Sequence, residues 1–381
     1  MVLCAFAALA MSTTAAPRAQ AATVMTDWTA VGGNTATGTL LGASVDLKVA
    51  AGYTGHVWDT PVSRTDETWT GFNGPDFSPS LTQSDEIQLS GFDASTRYTL
   101  TFGGEGIVNP TLLLGSLASS TQFTGMTATR PDGTIATTAV SVTKLSGATT
   151  FTASGSVVSG TPTGVPGPEY VWDSSGAVRL NSSDPVKSVT FTASRNYPAA
   201  TEDGILLQVV ARVDCADWTT PTPTSVSGKL LGSDVSLSGG PMTSAVNGNW
   251  TSFDGPDFTP SLPTSDMVEI GGATGRSYAI GFSATPRTPI LLIGSLASSL
   301  GFPAALSVTK VDGPAGDFTV TGTTVTGKLK ITDPGPEHVY DSSGTVRLGK
   351  LRTTGASTTS FSTTYTGPQP DGIPMQVCAQ T

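Results

Sequence analysis

The sequence predicts an all-β protein of two tandem homologous antiparallel β-sandwich domains, jelly-roll-like in form. Three observations carry that expectation. Short runs alternate apolar with polar residues along the whole chain, Gly and Pro punctuate those runs, and long phrases recur once, in the same order. The 381 residues include 44 Gly and 26 Pro, nearly one in five, which favours many turns over long helices.

The strands come first. SVDLKVA, EIQLS, RYTLTF, TLLLGS, AVRLN, SVTFTA and ILLQVVA read as short runs separated by Gly, Pro, Asp and Ser. TLLLGSL and ILLIGSL are more continuously apolar, so they belong in the middle of a sheet, buried on both faces. No long stretch holds a helical period. Several strands at such spacing point to a sandwich, and among sandwiches to a jelly roll.

The duplication follows. Asp27-Trp28-Thr29 returns as Asp217-Trp218-Thr219, and GTLLGASVDL from Gly38 as GKLLGSDVSL from Gly228. LLLGSLASS matches LLIGSLASS, GPEYVWDSSGAVRL matches GPEHVYDSSGTVRL, and DGILLQV matches DGIPMQV. The offset shrinks from 190 (28 to 218) to 168 (169 to 337), so copy one carries small loop insertions. The expected domains are 23–212 and 213–381, with the boundary near Arg212 to Asp214. The phrase FNGPDFSPSL from Phe72, repeated as FDGPDFTPSL from Phe253, reads as a structured loop. Its GPDF places Pro at the second position of a turn, and the next Pro keeps its neighbour extended.

Composition bounds the partners. Charged residues are 13%, well below the roughly 25% of an ordinary soluble domain. Water-facing strand positions must then carry Thr, Ser and Gly. With 19 basic against 29 acidic residues and a net charge of −10, no clustered cations are present for nucleic acid or an anionic membrane surface. Residues 1–22 read as a signal peptide, an apolar VLCAFAALAM followed by APRAQAA with an A-x-A site. The apolar run is too short to span about 30 Å of hydrocarbon. The expectation is a secreted protein, extracellular or cell-wall associated, without membrane insertion.

The cysteines fit this scheme. Cys4 lies in the leader. Cys215 and Cys378 stand where copy one has Met25 and Val210, which makes the first and last strands of each copy neighbours. An oxidising compartment then makes Cys215–Cys378 a disulfide.

Catalytic signatures are mostly absent. The two histidines, His56 and His338, are not shared between copies, so a duplicated Ser-His-Asp site is excluded. No zinc spacing, phosphate loop or dinucleotide fingerprint occurs. Carboxylates are shared: Asp76 and Asp257, Asp85 and Asp266, Glu169 and Glu337, Asp173 and Asp341, Asp203 and Asp371. A pair of them about 5–10 Å apart would serve a glycan hydrolase, the alternative reading. Asp76 and Asp257 are candidate calcium ligands, since hard cations take loop oxygens. The same carboxylates also serve as ordinary turn caps.

PEYVWDSSG and PEHVYDSSG are the most pointed constellation. In a strand, Tyr170 and Trp172 share one face, as do His338 and Tyr340, with Glu169, Asp173, Glu337 and Asp341 on the opposite side. Adjacent rings can stack on sugar, and they can equally fill a core. A polysaccharide or a cell-surface protein is the expected partner, and calcium the one cofactor in prospect.

At PTSDMVEIGGATGRSYAIGFSATPRTPILLIGSLASS, from Pro263 to Ser299, the order of elements carries a family resemblance. A Ser-Asp strand, a Gly-Gly turn, an alternating strand and a Pro-apolar run ending in Gly-Ser-Leu follow one another. This resembles the secreted β-sandwich domains of bacterial PEP-CTERM-type exported proteins and their actinobacterial relatives. DGILLQV and DGIPMQV resemble that domain's closing strand. No Pro-Glu-Pro motif or basic tail follows Val377, so the family's route of surface retention is not expected. The resemblance transfers no catalytic residue. Taken together, these readings lead to an exported, non-catalytic protein with a structural or adhesive role.

Overall fold

A computed structural model of the chain describes residues 21–53, 56–58, 64–90, 96–162, 173–195, 204–251, 253–329, 341–351, 355–365 and 372–381. Those residues form three antiparallel sheets and no helix. One sheet of 14 strands runs through both halves; a 9-stranded sheet belongs to the first half and an 8-stranded sheet to the second.

The apolar patterns place the strands. In Thr96–Phe102, Tyr98, Leu100 and Phe102 are buried while Arg97 and Thr101 face water, the alternation of a half-covered strand. Thr111–Leu117 and Ile290–Leu296 are buried throughout. Each sits centrally: Thr111–Leu117 pairs with Ser174–Leu180 and Ile205–Cys215, and Ile290–Leu296 with Ser342–Gly349 and Gly372–Gln380. The first-half core packs Leu112, Leu114, Val178 and Leu207 of the long sheet against Val45, Leu100, Phe123 and Phe191 of the 9-stranded one.

Strand order repeats between the halves. Outward from the middle of the long sheet run Ile205–Cys215, Thr111–Leu117, Ser174–Leu180 and Val142–Gly147. On the other side run Gly372–Gln380, Ile290–Leu296, Ser342–Gly349 and Ser307–Asp312.

The twice-written loop is built the same way both times. Phe72 and Phe77 meet edge to face at 5.2 Å, as do Phe253 and Phe258 at 5.2 Å. The Leu81 amide donates to Phe72 O at 3.1 Å, and Leu262 to Phe253 O at 2.9 Å. Ser80 Oγ and Ser261 Oγ accept from the Gly74 and Gly255 amides, each at 3.0 Å. The bonds Ser78-Pro79 and Thr259-Pro260 are both cis.

The halves meet along Ile205–Cys215. Residue pair 212/213, the junction expected from the repeat, lies inside this continuous strand. Its end pairs with Ala21–Met25 on one side, Met25 opposite Val210. On the other side it pairs with the closing strand, Val213 opposite Gln380 and Cys215 opposite Cys378. Cys215 and Cys378 are joined by a disulfide across 163 residues of sequence. Arg347, 4% exposed, reaches from the second half to donate to Leu41 O at 3.4 Å and to Gly106 O of the first. Burial lowers its guanidinium to about 10, partly offset by the Glu105 carboxylate. Arg287 pairs with Asp184 at 2.9 Å, and Val108 N donates to Gln380 Oε1 at 2.7 Å. Phe253, Phe258, Ile290 and Leu292 of the second half join the first half's core cluster.

A loop this long makes the disulfide worth up to about 5 kcal/mol by chain entropy alone. The double substitution Cys215→Ala with Cys378→Ala is expected to lower the urea unfolding free energy by about 2–5 kcal/mol. Equilibrium unfolding monitored by tryptophan fluorescence reads this; an unchanged midpoint would show that the strand pairing alone holds the junction.

Candidate functional site

A tryptophan, a glutamine and an aspartate that recur in both halves converge on one buried cluster per half. In the first, Trp28 Nε1 donates to Gln208 Oε1 at 3.1 Å, and the Val209 amide donates to the same oxygen at 2.7 Å. Gln208 Nε2 donates to Thr26 O at 3.0 Å and to Asp85 O at 2.8 Å. In the second, Trp218 Nε1 and Val377 N donate to Gln376 Oε1 at 2.7 and 2.9 Å. Gln376 Nε2 donates to Ala216 O at 3.0 Å and to Asp266 O at 2.9 Å. Each glutamine thus uses both donors and both acceptor positions. It ties together the segment before the tryptophan, the aspartate strand and the closing strand.

The aspartates complete the cluster. Asp85 is fully buried and accepts Trp28 N at Oδ2, 2.8 Å, and Glu67 N at Oδ1, 2.7 Å. Asp266 Oδ2 accepts Trp218 N at 2.8 Å. Burial raises the Asp85 carboxyl to about 6 despite these two amide donors, and the charges of Asp27 and Glu67 add to the rise. Asp217, the counterpart of Asp27, is raised by burial first and then by Asp266. A raised acid beside other carboxylates is the pattern a glycosidase uses. Here both Asp85 oxygens are held by backbone amides and no part of the side chain reaches solvent. Such a group positions strands and does not meet a substrate.

A cavity of about 630 Å³ lies between the halves beside this cluster, with Asp27, Glu67, Leu41, Phe258 and Asp312 on its walls. Among the described residues, Phe258 is its one aromatic lining residue and is 6% exposed. No exposed ring face among the described residues lines it for stacking on sugar.

Of the residues expected from sequence, Glu169, Tyr170, Trp172, Glu337, His338 and Tyr340 lie outside the described residues. Asp203 and Asp371 do so as well. Asp173 is half-buried and immediately precedes Ser174–Leu180. Asp341, 6% exposed, precedes Ser342–Gly349, with Ser295 Oγ at 3.5 Å from its Oδ2. The next serine does the anchoring: Ser174 Oγ donates to Thr161 O at 2.9 Å, and Ser342 Oγ donates to Lys328 O at 3.0 Å. Asp76 and Asp257 are half-buried in their loops, and the Asp76 carbonyl accepts Ser146 Oγ at 2.9 Å. No group of three or more His, Cys, Asp or Glu side chains gathers among the described residues. Arg179 Nε donates to Asn181 Oδ1 at 3.2 Å, whereas its counterpart Arg347 serves the junction.

Gln208 and Gln376 were not singled out in the sequence, although each is the lone long polar residue in a repeated apolar run, ILLQV and IPMQV. A polar residue kept at the same place in two buried strands was the available signal.

No family model and no curated protein matches the chain. Among solved structures, a glyoxylate-induced protein from Pseudomonas aeruginosa aligns at 9% identity and a TM-score of 0.13, over 96% of this chain and 92% of that one. A similarity that low carries no argument about fold or function.

Gln208→Ala would leave the Trp28 indole, the Val209 amide and two carbonyls without their partner. Each such group costs about 1–3 kcal/mol when buried, so a loss of about 3 kcal/mol or more is expected. The exposed Gln122→Ala is the control, expected within about 0.5 kcal/mol of wild type. Urea titration of both variants checks this.

Asp85 also makes stability depend on pH. Folded, it keeps its proton up to about 6, against 3.8 for the ordinary carboxyl. Its contribution is therefore full below the unfolded value and lost as pH rises through about 6, by at most roughly 3 kcal/mol. Asp85→Asn, less stable overall, is expected to show a shallower decline between about pH 4 and pH 7. Equal slopes in the two proteins would rule this out.

Proposed function

We propose that the protein is an exported, non-catalytic structural or adhesive protein of two tandem homologous β-sandwich modules, 23–212 and 213–381. It works in the extracellular or cell-wall space, and its more specific role is recognition of a polysaccharide or a cell-surface protein. The observation that carries the reading is how the described polar groups are used. Among the described residues, Gln208, Gln376 and both oxygens of Asp85 are engaged by backbone and indole partners, and Asp266 accepts the Trp218 amide, so these recurring groups hold strands.

Other observations support the same reading. Strand order repeats between the halves, the Trp–Gln–Asp cluster occurs once in each, and the proline-rich loop is built identically. The Cys215–Cys378 bridge suits an oxidising compartment. A sheet that continues from one module into the next, clamped by that bridge, suits a protein that spans or bears load. Two linked modules also gain avidity without new contacts.

The test is a glycan-array screen of the mature protein, with and without calcium. A defined glycan hit weakened at least tenfold by Trp172→Ala and Tyr340→Ala is the expected result for polysaccharide recognition. A blank array from well-folded protein in both conditions would remove that specific role and leave the structural one.

A further inference from the structure

We propose that this protein assembles head to tail with further copies of itself, by repeating between chains a contact that its own two halves already make. The inference rests on the two-module reading above.

The contact within the chain has a tip and a receiving face. The tip is the hairpin turn between Thr35–Leu40 and Ala43–Val49, where Leu41 and Gly42 both take positive φ, 50° and 70°. Leu41 is 2% exposed, and its carbonyl accepts Arg347 from the other half. Gly42 is pressed so close that an added Cβ would lie 2.9 Å from Lys310 O and 3.2 Å from Val311 Cγ2. The receiving face is therefore Val311 and Arg347, beside Thr259 and Pro260 of the twice-written loop.

Each member of that contact has a counterpart elsewhere in the chain that meets no other half among the described residues. The second half's hairpin turn places Leu231 and Gly232 at φ 52° and 76°, the same geometry. Yet Leu231 is 42% exposed, and nothing among the described residues lies within 4 Å of a Cβ added to Gly232. On the first half, SVTKLSG puts Leu145 where SVTKVDG has Val311, and Arg179 stands where Arg347 does. Leu145 is 38% exposed and, with Arg179, Ser78 and Pro79, lines a cavity of about 350 Å³. Four large hydrophobic residues are exposed among those described, Ile135, Leu145, Leu231 and Leu329. Two of the four are the free tip and the free face.

Backbone geometry singles out the tip independently. A leucine at positive φ is a strained choice where Asn or Gly would serve such a hairpin. Both halves keep leucine there, and in the half where it is covered, the turn meets a partner surface. The tip and the face are different patches at different places, so the contact between copies is heterologous and leads to open chains, not a closed dimer. The second half has Thr285 where the first has Glu105, and copies lack the covalent link. Association between chains is accordingly weaker than within one and rises with concentration.

Sedimentation velocity and light scattering on the folded protein test this, with variants at the two exposed leucines. For wild type the weight-average mass is expected to climb above the 38.7 kDa of the full chain as concentration rises. Leu231→Asp and Leu145→Asp should each stay monomeric, because each lacks one member of the contact. Mixed in equal amounts, the two should form a 1:1 dimer and nothing larger, since one intact tip meets one intact face. A wild type that stays monomeric at its highest soluble concentration, with native circular dichroism, would overturn the proposal. So would variants that associate as wild type does, or a mixture that fails to pair. None of these outcomes bears on the two-module reading, which stands or falls on superposing the halves in an experimental structure.

Discussion

The indole-to-glutamine hydrogen bond, made once in each half, is the constraint on which the rest of the fold depends. An antiparallel sheet whose first and last strands are neighbours must hold its chain ends in place, and backbone pairing alone frays at ends. A buried glutamine solves this because one amide group offers two donors and two acceptor positions in a plane. Gln208 and Gln376 spend all four on three different segments. In a low-dielectric interior a saturated network is strong and a broken one is costly. The aspartates Asp85 and Asp266 then orient the entering strand by accepting the tryptophan amides.

That closure leads directly to the junction. Because the last strand of the first half continues into the entry segment of the second, Ile205–Cys215 serves two sets of partners along its length. Met25 opposite Val210 is an apolar pairing, and Cys215 opposite Cys378 is a covalent one. Arg347 adds a charge-bearing group that satisfies carbonyls at two first-half turns. The chain therefore passes from one half to the other without a linker.

Much of the fold was legible in the sequence, for a definite reason. Strand burial follows a two-residue period, so RYTLTF announces a half-covered strand and TLLLGSL a doubly covered one. The pairing of chain ends was legible because Met25 and Val210 in one copy align with Cys215 and Cys378 in the other. The candidate chemistry was less legible. Asp85 and Asp266 look the same in sequence as reactive carboxylates, and only their amide donors identify them as strand anchors. Gln208 and Gln376 were hidden within apolar runs because a polar residue in a strand ordinarily faces water.

By itself, the sequence determined the all-β class, the strands and their burial, and the twofold recurrence of phrases, since these depend on local period and on self-comparison. Tertiary structure alone decided that the long sheet is shared, that Arg347 is buried while Arg179 lines an open cavity, and that Leu41 is covered while Leu231 is not. Equivalent residues in equivalent local structure differ there because burial depends on what lies across the gap, a long-range property that neither period nor propensity encodes.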